Sequence, residues 1–221
     1  MQLTAMDTLL TFLIIFIPAG LCFWQLMRFT RDTVGTRSPL KISRVYKTTA
    51  LSFFFRLDST IPLYCFFVSG LLFKVCFLKP APVSVFLENA ALKSLTLTVM
   101  IALFLLIGIL SLAIDLNHWQ YAKNVVITTL PEQHTIELKM GDTELILNEG
   151  DIQAIHHYHN DAKLRKAYGE YQLTNGDFFF LPDTVEGVWV IKEYFKNIPE
   201  DSTVKTLPFI KQHSGTESAG G

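Results

Sequence analysis

Three long apolar runs in the first half of the chain constrain its fold more than any other feature. They are Thr8–Met27, Ser59–Leu78 and Leu95–Ile114. A helix of about 20 residues rises about 1.5 Å per residue, and so crosses the hydrocarbon core of about 30 Å. We therefore expect a membrane region at residues 1–116 with three helical spans near 8–27, 59–78 and 95–114. A small soluble domain at 117–200 and a flexible tail at 201–221 would follow.

Basic residues are concentrated between the first two runs, and this asymmetry predicts the orientation. They are Arg28, Arg31, Arg37, Lys41, Arg44 and Lys47. Short loops rich in Lys and Arg stay in the cytoplasm, which puts the N-terminus outside and the C-terminal domain inside. The same six side chains are candidates for contact with anionic lipid, although their effect on topology alone accounts for them.

The charge distribution also limits the kinds of partner. Residues 1–116 carry a formal charge of +5 and residues 117–221 carry −6, which gives the net charge of −1. An acidic domain makes nucleic acid an unlikely partner, because phosphate recognition needs a basic face. All three cysteines lie in the apolar runs, so no disulfide framework is predicted.

Charged residues near the second run leave a transport function open. Arg56 and Asp58 precede this run, and Lys74 lies near its outer end. An ion pair inside the membrane would indicate a pathway for a solute or ion. Alternatively, all three side chains reach an interface, with Lys74 extending outward along its apolar stem. We favour the second interpretation, since three short spans offer few buried polar groups.

The soluble half alternates short apolar strands with turn residues. Strands are predicted at Val125–Leu130, 136–140, around Leu145–Leu147, at Ile152–His159, at Ala167–Thr174 and at Asp177–Leu181. Gly141-Asp142 and Asn175-Gly176 are typical of tight hairpin turns. Pro182 then ends the sheet. Asp183 and Glu186 form a capping-box-like pattern before a helix with an apolar stripe, and Pro199 ends this helix.

These strands and the closing helix resemble the bacterial pleckstrin-homology-like (PH-like) domains found on short membrane proteins. The resemblance rests on Gly150–Ile155, Tyr171–Pro182 and the helix that follows. It implies an α+β fold of two bent antiparallel sheets closed by one C-terminal helix, a position at the bacterial inner (cytoplasmic) membrane, and binding rather than catalysis. A weaker resemblance to LytTR-type DNA-binding domains, over Ile152–Pro199, implies a membrane-tethered transcriptional regulator instead. The acidic residues after Pro199 disfavour it.

Several aromatic and histidine residues are candidates for interaction. His157 and His159 are two residues apart on a predicted strand and therefore share a face, but two ligands do not make a metal site. Trp189 is a candidate partner anchor, with packing of the helix on the sheet as the alternative. Phe178, Phe179 and Phe180 cannot all face one core, and we take Phe179 as a candidate contact.

No catalytic motif is recognisable in the sequence. It has no glycine-rich phosphate loop, no serine nucleophile elbow and no histidine pair of the kind that holds catalytic zinc on a helix. We therefore predict no enzyme activity and no cofactor. The leading hypothesis is a membrane protein whose PH-like domain binds another protein or self-associates. The alternatives are the tethered regulator and a small transport subunit.

Overall fold

The fold is described from a computed structural model, which covers residues 38–56, 59–74, 90–161 and 166–211. It also gives five separate positions in the first apolar run, all of them helical: Phe16, Gly20, Phe23, Trp24 and Met27. The rest of that run and the end of the tail lie outside the described residues. So do Asp58 and the basic residues Arg28, Arg31 and Arg37.

The described segments form two four-stranded sheets and several helices. In chain order the elements are β1 (Arg44–Lys47), α1 (Ala50–Phe54), α2 (Ile61–Phe73), α3 (Ala90–Ala122), β2 (Val125–Leu130), β3 (Thr135–Met140), β4 (Thr143–Leu147), β5 (Ile152–His159), β6 (Ala167–Leu173), β7 (Phe178–Pro182), α4 (Val188–Tyr194) and β8 (Glu200–Val204). The first sheet has the order β1-β2-β3-β4, and the second has the order β7-β6-β5-β8. All neighbouring strands are antiparallel except β8, which runs parallel to β5.

One hydrophobic core joins the two sheets and α4. On β3, Ile136 and Leu138 are buried while Glu137 and Lys139 are exposed, as period-two alternation requires. The second sheet contributes Ile155, Tyr171 and Leu181 among others, and α4 contributes Val190, Ile191 and Tyr194. This architecture confirms the predicted domain of antiparallel strands closed by a C-terminal helix.

The apolar helices are inserted within the first sheet. β1 precedes α1, α2 and α3, and β2 follows them, yet the two strands pair directly, with Tyr46 opposite Ile127. The chain therefore leaves the domain after β1 and returns to the same sheet at β2. Arg44 and Lys47, two of the six basic residues between the first two apolar runs, therefore lie within the domain.

The structure supports fewer long apolar helices than the sequence predicts. Among the described residues, one helix is long and apolar enough to cross a membrane, namely the 29-residue segment Ser94–Ala122, which contains the third predicted span. The second span is represented by α2, which has 13 residues. A helix of that length measures about 20 Å, short of a hydrocarbon core of about 30 Å. Three membrane spans thus remain a prediction.

The domain boundaries differ from those predicted at 117 and 200. The domain begins at β1, because the partner of that strand lies far along the chain, beyond the inserted helices. At the other end, β8 pairs with β5 through backbone hydrogen bonds although its five side chains are exposed. Ile210 is also buried. Residues 201–211 of the predicted tail are therefore part of the folded domain.

The predicted cap of the C-terminal helix is wrong. The N-cap of α4 is Gly187, in a left-handed conformation with φ of 81°, and no side chain caps this helix. Asp183 lies earlier, in a turn where the amide of Val185 donates to the carbonyl of Pro182. The residues predicted for the apolar stripe are nevertheless buried, since Ile191 of α4 and the flanking Val185 and Phe195 all lie in the core.

Candidate interaction surface on the second sheet

A row of aromatic rings crosses the outer face of the second sheet, and we call it the aromatic ladder. Its members are His156, Tyr158, Tyr168, Phe178 and Phe180. The ring centroids of His156 and Tyr158 are 4.5 Å apart, and those of Tyr158 and Tyr168 are 4.9 Å apart. Tyr168 and Phe180 are separated by 6.0 Å, and Phe178 and Phe180 by 5.5 Å. These spacings are those of favourable aromatic pairs.

Strand alternation produces the ladder. On β7, Phe178 and Phe180 point outward, whereas Phe179 between them points into the core and stacks on Tyr171 at 4.9 Å. The prediction that one phenylalanine of the triplet lies on the surface therefore applies to Phe178, which is 47% exposed, while Phe179 is only 6% exposed. Phe179 is a core residue in this structure, so its role as a contact residue is not supported.

The C-terminal end of α3 packs beside the ladder. Asp115, His118 and Tyr121 lie on one face of the helix because they are spaced by three residues. The rings of His118 and Tyr168 are 5.8 Å apart, and those of Tyr121 and Phe180 are 6.4 Å apart. Asp115 forms an ion pair with Lys166 just before β6, and both side chains are almost fully buried. The long apolar helix is thus attached directly to the second sheet.

The tyrosines of the ladder carry neutral hydroxyl groups. The hydroxyl of Tyr158 donates to a carboxylate oxygen of Glu170 at 3.2 Å. Burial, with the nearby negative charge of Glu170, raises the pKa of Tyr158 to about 12. Burial and Glu170 likewise raise the pKa of Tyr168 to about 12. Both phenols stay protonated near neutral pH and therefore supply neutral hydrogen-bonding groups to the ladder, although Tyr168 is itself buried, with 2% of the residue exposed.

The histidines of β5 divide between the two sides of the sheet. The Nδ1 atom of His156 lies 3.0 Å from the carboxylate of Asp201, and its Nε2 atom lies 2.9 Å from the hydroxyl of Thr203. His157 faces the other side, with Nε2 3.5 Å from Glu200. His159 Nδ1 lies 3.1 Å from the carbonyl of Asn160. The two predicted face-sharing histidines are thus engaged with different groups.

His157 lines a polar cleft of about 480 Å³ at the edge of the second sheet. The other lining residues are Asp183, Lys192, Glu200, Asp201 and Ser202. Lys192 forms an ion pair with Glu200 at 2.6 Å, which links α4 to β8. Within the described part of the chain, no three His, Cys, Asp or Glu side chains are grouped so that they could hold a metal ion. The lining of the cleft is therefore polar and carries charges of both signs.

Trp189 packs against the domain rather than standing alone on its surface. Its ring lies edge-on to that of Tyr46 at 6.3 Å, and it borders the hydrophobic core. This position corresponds to the packing alternative of the sequence analysis. Tyr46 belongs to β1, so Trp189 helps to join the C-terminal helix to the strand that precedes the apolar helices.

The described basic residues lie on or beside β1. Lys41 and Lys47 are exposed, and Arg44 is half-buried, with its backbone amide donating to the hydroxyl of Thr129 at 2.9 Å. Lys47 also lines a groove of about 460 Å³ between the domain and the first apolar run. The other residues of this groove are Trp24, Thr49, Leu51, Ser52, Phe55 and Glu186. The structure therefore gathers one predicted lipid-contact residue with exposed apolar side chains.

The charged residues proposed for transport are separated in the structure. A guanidinium nitrogen of Arg56 donates to the backbone carbonyl of Asp183 at 3.4 Å, outside the apolar helices. Lys74 is the C-cap residue of α2, about one helix length away. Asp58 lies outside the described residues. The position of Arg56 at a membrane interface stays a prediction.

Sequence reasoning missed the ladder although its signal was present. Tyr158 and Tyr168 stand opposite each other in the register of β5 and β6, and Glu170 stands opposite Phe180 in that of β6 and β7. Pairing the predicted strands around the Asn175-Gly176 turn would have aligned β6 with β7. The contribution of α3 could not be found this way, because it depends on tertiary packing.

Comparison with known proteins identifies one family. A family model described as a PH domain matches residues 44–182, which begin at β1 and end at β7. The matched region therefore includes the inserted helices and excludes α4 and β8. Comparisons with curated proteins and with solved structures gave no significant match.

Proposed function

This chain belongs to the PH domain family, and we propose that it holds a protein partner at the surface of a membrane. Membership supports a module that interacts with protein or lipid. The aromatic ladder is the observation that favours a protein over a lipid as the ligand. It ends in Phe178, and 47% of this residue is exposed. Aromatic side chains dominate the energetics of protein interfaces, and neutral phenols add hydrogen bonds there. The proposal assigns the chain no catalytic activity and no cofactor.

The membrane part of the proposal is supported by the insertion of helices between β1 and β2. Because these strands are paired, any membrane helices between them must leave and return on one side, which requires an even number of crossings. Lys41, Arg44 and Lys47 lie on that side, and basic segments of this kind remain in the cytoplasm. We propose a bacterial inner membrane location with the N-terminus outside and the domain in the cytoplasm.

A protease experiment tests this orientation. A protease added to sealed, right-side-out spheroplasts, which are cells whose outer membrane has been opened, is expected to leave the domain intact, and to digest it once the inner membrane is made permeable. An epitope tag placed before Met1 serves as the control, since it should be removed in the sealed cells. Loss of the domain from sealed cells would contradict the proposed location.

Photo-crosslinking tests the proposed surface. A photoreactive phenylalanine analogue at position 178 in the full-length membrane protein is expected to give a discrete adduct larger than the 25.1 kDa chain. The matched control is the same analogue at Val45, which is 66% exposed on β1 of the other sheet. We expect no discrete adduct there. Mass spectrometry of the adduct would show whether the partner is another protein or a second copy.

The absence of any adduct at position 178, or the same products at both positions, would contradict the proposed surface. Because the control residue is the more exposed of the two, random collision would favour Val45. A difference in favour of position 178 therefore reports a specific contact. Photo-adducts with lipid alone would instead indicate that the domain binds lipid, which is the other kind of ligand that membership of the family supports.

A further inference from the structure

The last described segment of the chain crosses the ladder, and we call residues 200–211 the strap. It begins as β8, parallel to β5, and continues past the end of that strand, where the amide of Lys205 donates to the carbonyl of His159 at 2.7 Å. It then reaches the C-terminal end of α3. The strap thus connects the edge of the second sheet to the long apolar helix.

Lys205 places the strap over the ladder. Its Nζ atom lies 3.6 Å from the centroid of the Tyr158 ring and donates to the hydroxyl of Tyr168 at 3.0 Å. That hydroxyl in turn donates to the carbonyl of Phe209 at 3.4 Å. An ammonium group over an aromatic face is attracted by the ring quadrupole. The strap therefore covers the two tyrosines at the centre of the ladder.

Asn117 fastens the other end of the strap to α3. Its side-chain oxygen accepts from the amide of Ile210 at 2.8 Å, and its side-chain nitrogen donates to the carbonyl of the same residue at 3.2 Å. His118 Nε2 lies 2.8 Å from the carbonyl of Pro208. One side chain thus satisfies both backbone groups of Ile210, in the way that a neighbouring strand would.

The strap has little apolar burial for its length. All five residues of β8 are exposed, including Val204 at 59%, and Leu207 is 42% exposed. Pro208 and Ile210 are buried and anchor the segment near its C-terminal end. Segments with few buried apolar contacts open more easily than the core does. The strap also lies outside residues 44–182, the part of the chain that matches the family.

We propose that the strap is a releasable cover that limits access of a partner to the aromatic ladder. When it is closed, Lys205 and Phe209 occupy the surface of Tyr158 and Tyr168. When it opens, Tyr158 and the part of Tyr168 that α3 does not cover are added to the surface formed by Phe178, and the link between the strap and α3 is lost. The masking step depends on the proposed function, whereas the opening of the strap does not.

Hydrogen exchange on the full-length protein tests the opening. In Asn117→Ala, we expect the strap amides between residues 205 and 210, apart from Pro208, which has none, to exchange about tenfold faster than in the wild type, because two hydrogen bonds are lost. The amides of β5 and β6 should keep their rates. The control is Asn148→Ala, which removes a side-chain hydrogen bond in the turn between β4 and β5. It should leave the strap unchanged.

Two results would overturn the releasable strap. One is exchange of the strap amides in the wild type as slow as that of β2 and β3. The other is equal acceleration of the strap and of β5 and β6 in Asn117→Ala, since the strap would then open only with the sheet. Lys205→Met provides a second variant, which keeps an unbranched apolar side chain but removes the ammonium group.

The yield of the photo-crosslinked adduct at position 178 distinguishes two claims. One is that the strap covers the ladder, and the other is that the ladder binds a partner. We expect Asn117→Ala and Lys205→Met each to increase the yield of the partner adduct at least about threefold. Faster exchange with an unchanged yield would overturn the masking step and leave the interaction surface in place. No adduct in any variant would reject the proposed function together with masking, while the exchange data would still decide whether the strap opens.

Discussion

Replacement of Asp115 by Asn is expected to destabilise the folded domain by about 3–5 kcal/mol. Asp115 and Lys166 form an ion pair with side-chain exposures of only 1% and 4%. Removing one charge leaves the other buried without its counter-ion, at a cost in desolvation that the remaining contacts do not offset. The pair also joins α3 to the second sheet, so its loss should weaken the attachment of the helix to the domain.

The measurement is chemical denaturation of the full-length protein in detergent, followed by tryptophan fluorescence. Lys139→Met is the matched control, because Lys139 forms an ion pair with Glu144 on the exposed face of the first sheet. The denaturation midpoint of Lys139→Met should differ little from that of the wild type, since exposed ion pairs contribute little to stability. An equal loss in Asp115→Asn and Lys139→Met would contradict the prediction.

A double replacement distinguishes the contribution of the two charges to stability from the contribution of side-chain packing. Asp115→Leu combined with Lys166→Met puts apolar side chains at both positions, and we expect it to regain most of the stability lost in Asp115→Asn. Apolar residues of similar volume often replace a buried ion pair without loss. If the double variant is no more stable than the single one, the two positions require charge for a reason other than pairing.

The central strands of the domain could be predicted because their signals are local. β2 and β5 have the predicted bounds, and β3, β6 and β7 differ by about one residue. Alternation of apolar and polar side chains fixes each strand, and glycines with positive φ at 141 and 176 fix the turns. Neither signal depends on distant parts of the chain.

The edges of the domain could not be predicted because they depend on distant partners. β1 lies in a basic loop and pairs with a strand beyond the inserted helices. β8 has the sequence Glu-Asp-Ser-Thr-Val, with no apolar alternation, and is held by backbone pairing to β5. Propensity and periodicity carry no information about such non-local pairing. The contribution of α3 to the ladder could not be predicted for the same reason, since it depends on packing between distant parts of the chain.

The cap of α4 shows how tertiary packing can override a local motif. Asp183 and Glu186 have the spacing of a capping box, but the chain turns before the helix, and Gly187 is the N-cap of α4. The reason is the close approach of β1. A Cβ atom on Gly187 would lie 2.5 Å from Cγ of Tyr46, so only glycine fits between the helix and that ring.

Gly187→Ala is accordingly expected to cost about 3–5 kcal/mol, through backbone strain and steric overlap together. The residue has φ of 81°, and the new methyl group would also meet Cβ and Cδ2 of Tyr46 at 2.7 and 2.8 Å. Tyr46 has little freedom to move, because its backbone is paired with Ile127 and its ring packs against Trp189. The first sheet and α4 would have to separate to relieve the overlap.

Gly176→Ala is the matched control for this prediction, since it isolates the backbone strain. Gly176 has φ of 89°, and a Cβ atom there would have nothing within 4 Å. Its replacement should therefore cost only about 1–2 kcal/mol. Denaturant midpoints of the two variants and the wild type provide the comparison, and equal losses would mean that the contact with Tyr46 yields without cost. A larger loss in Gly187→Ala would show that β1, on the far side of the inserted helices, is packed tightly against the C-terminal helix of the domain.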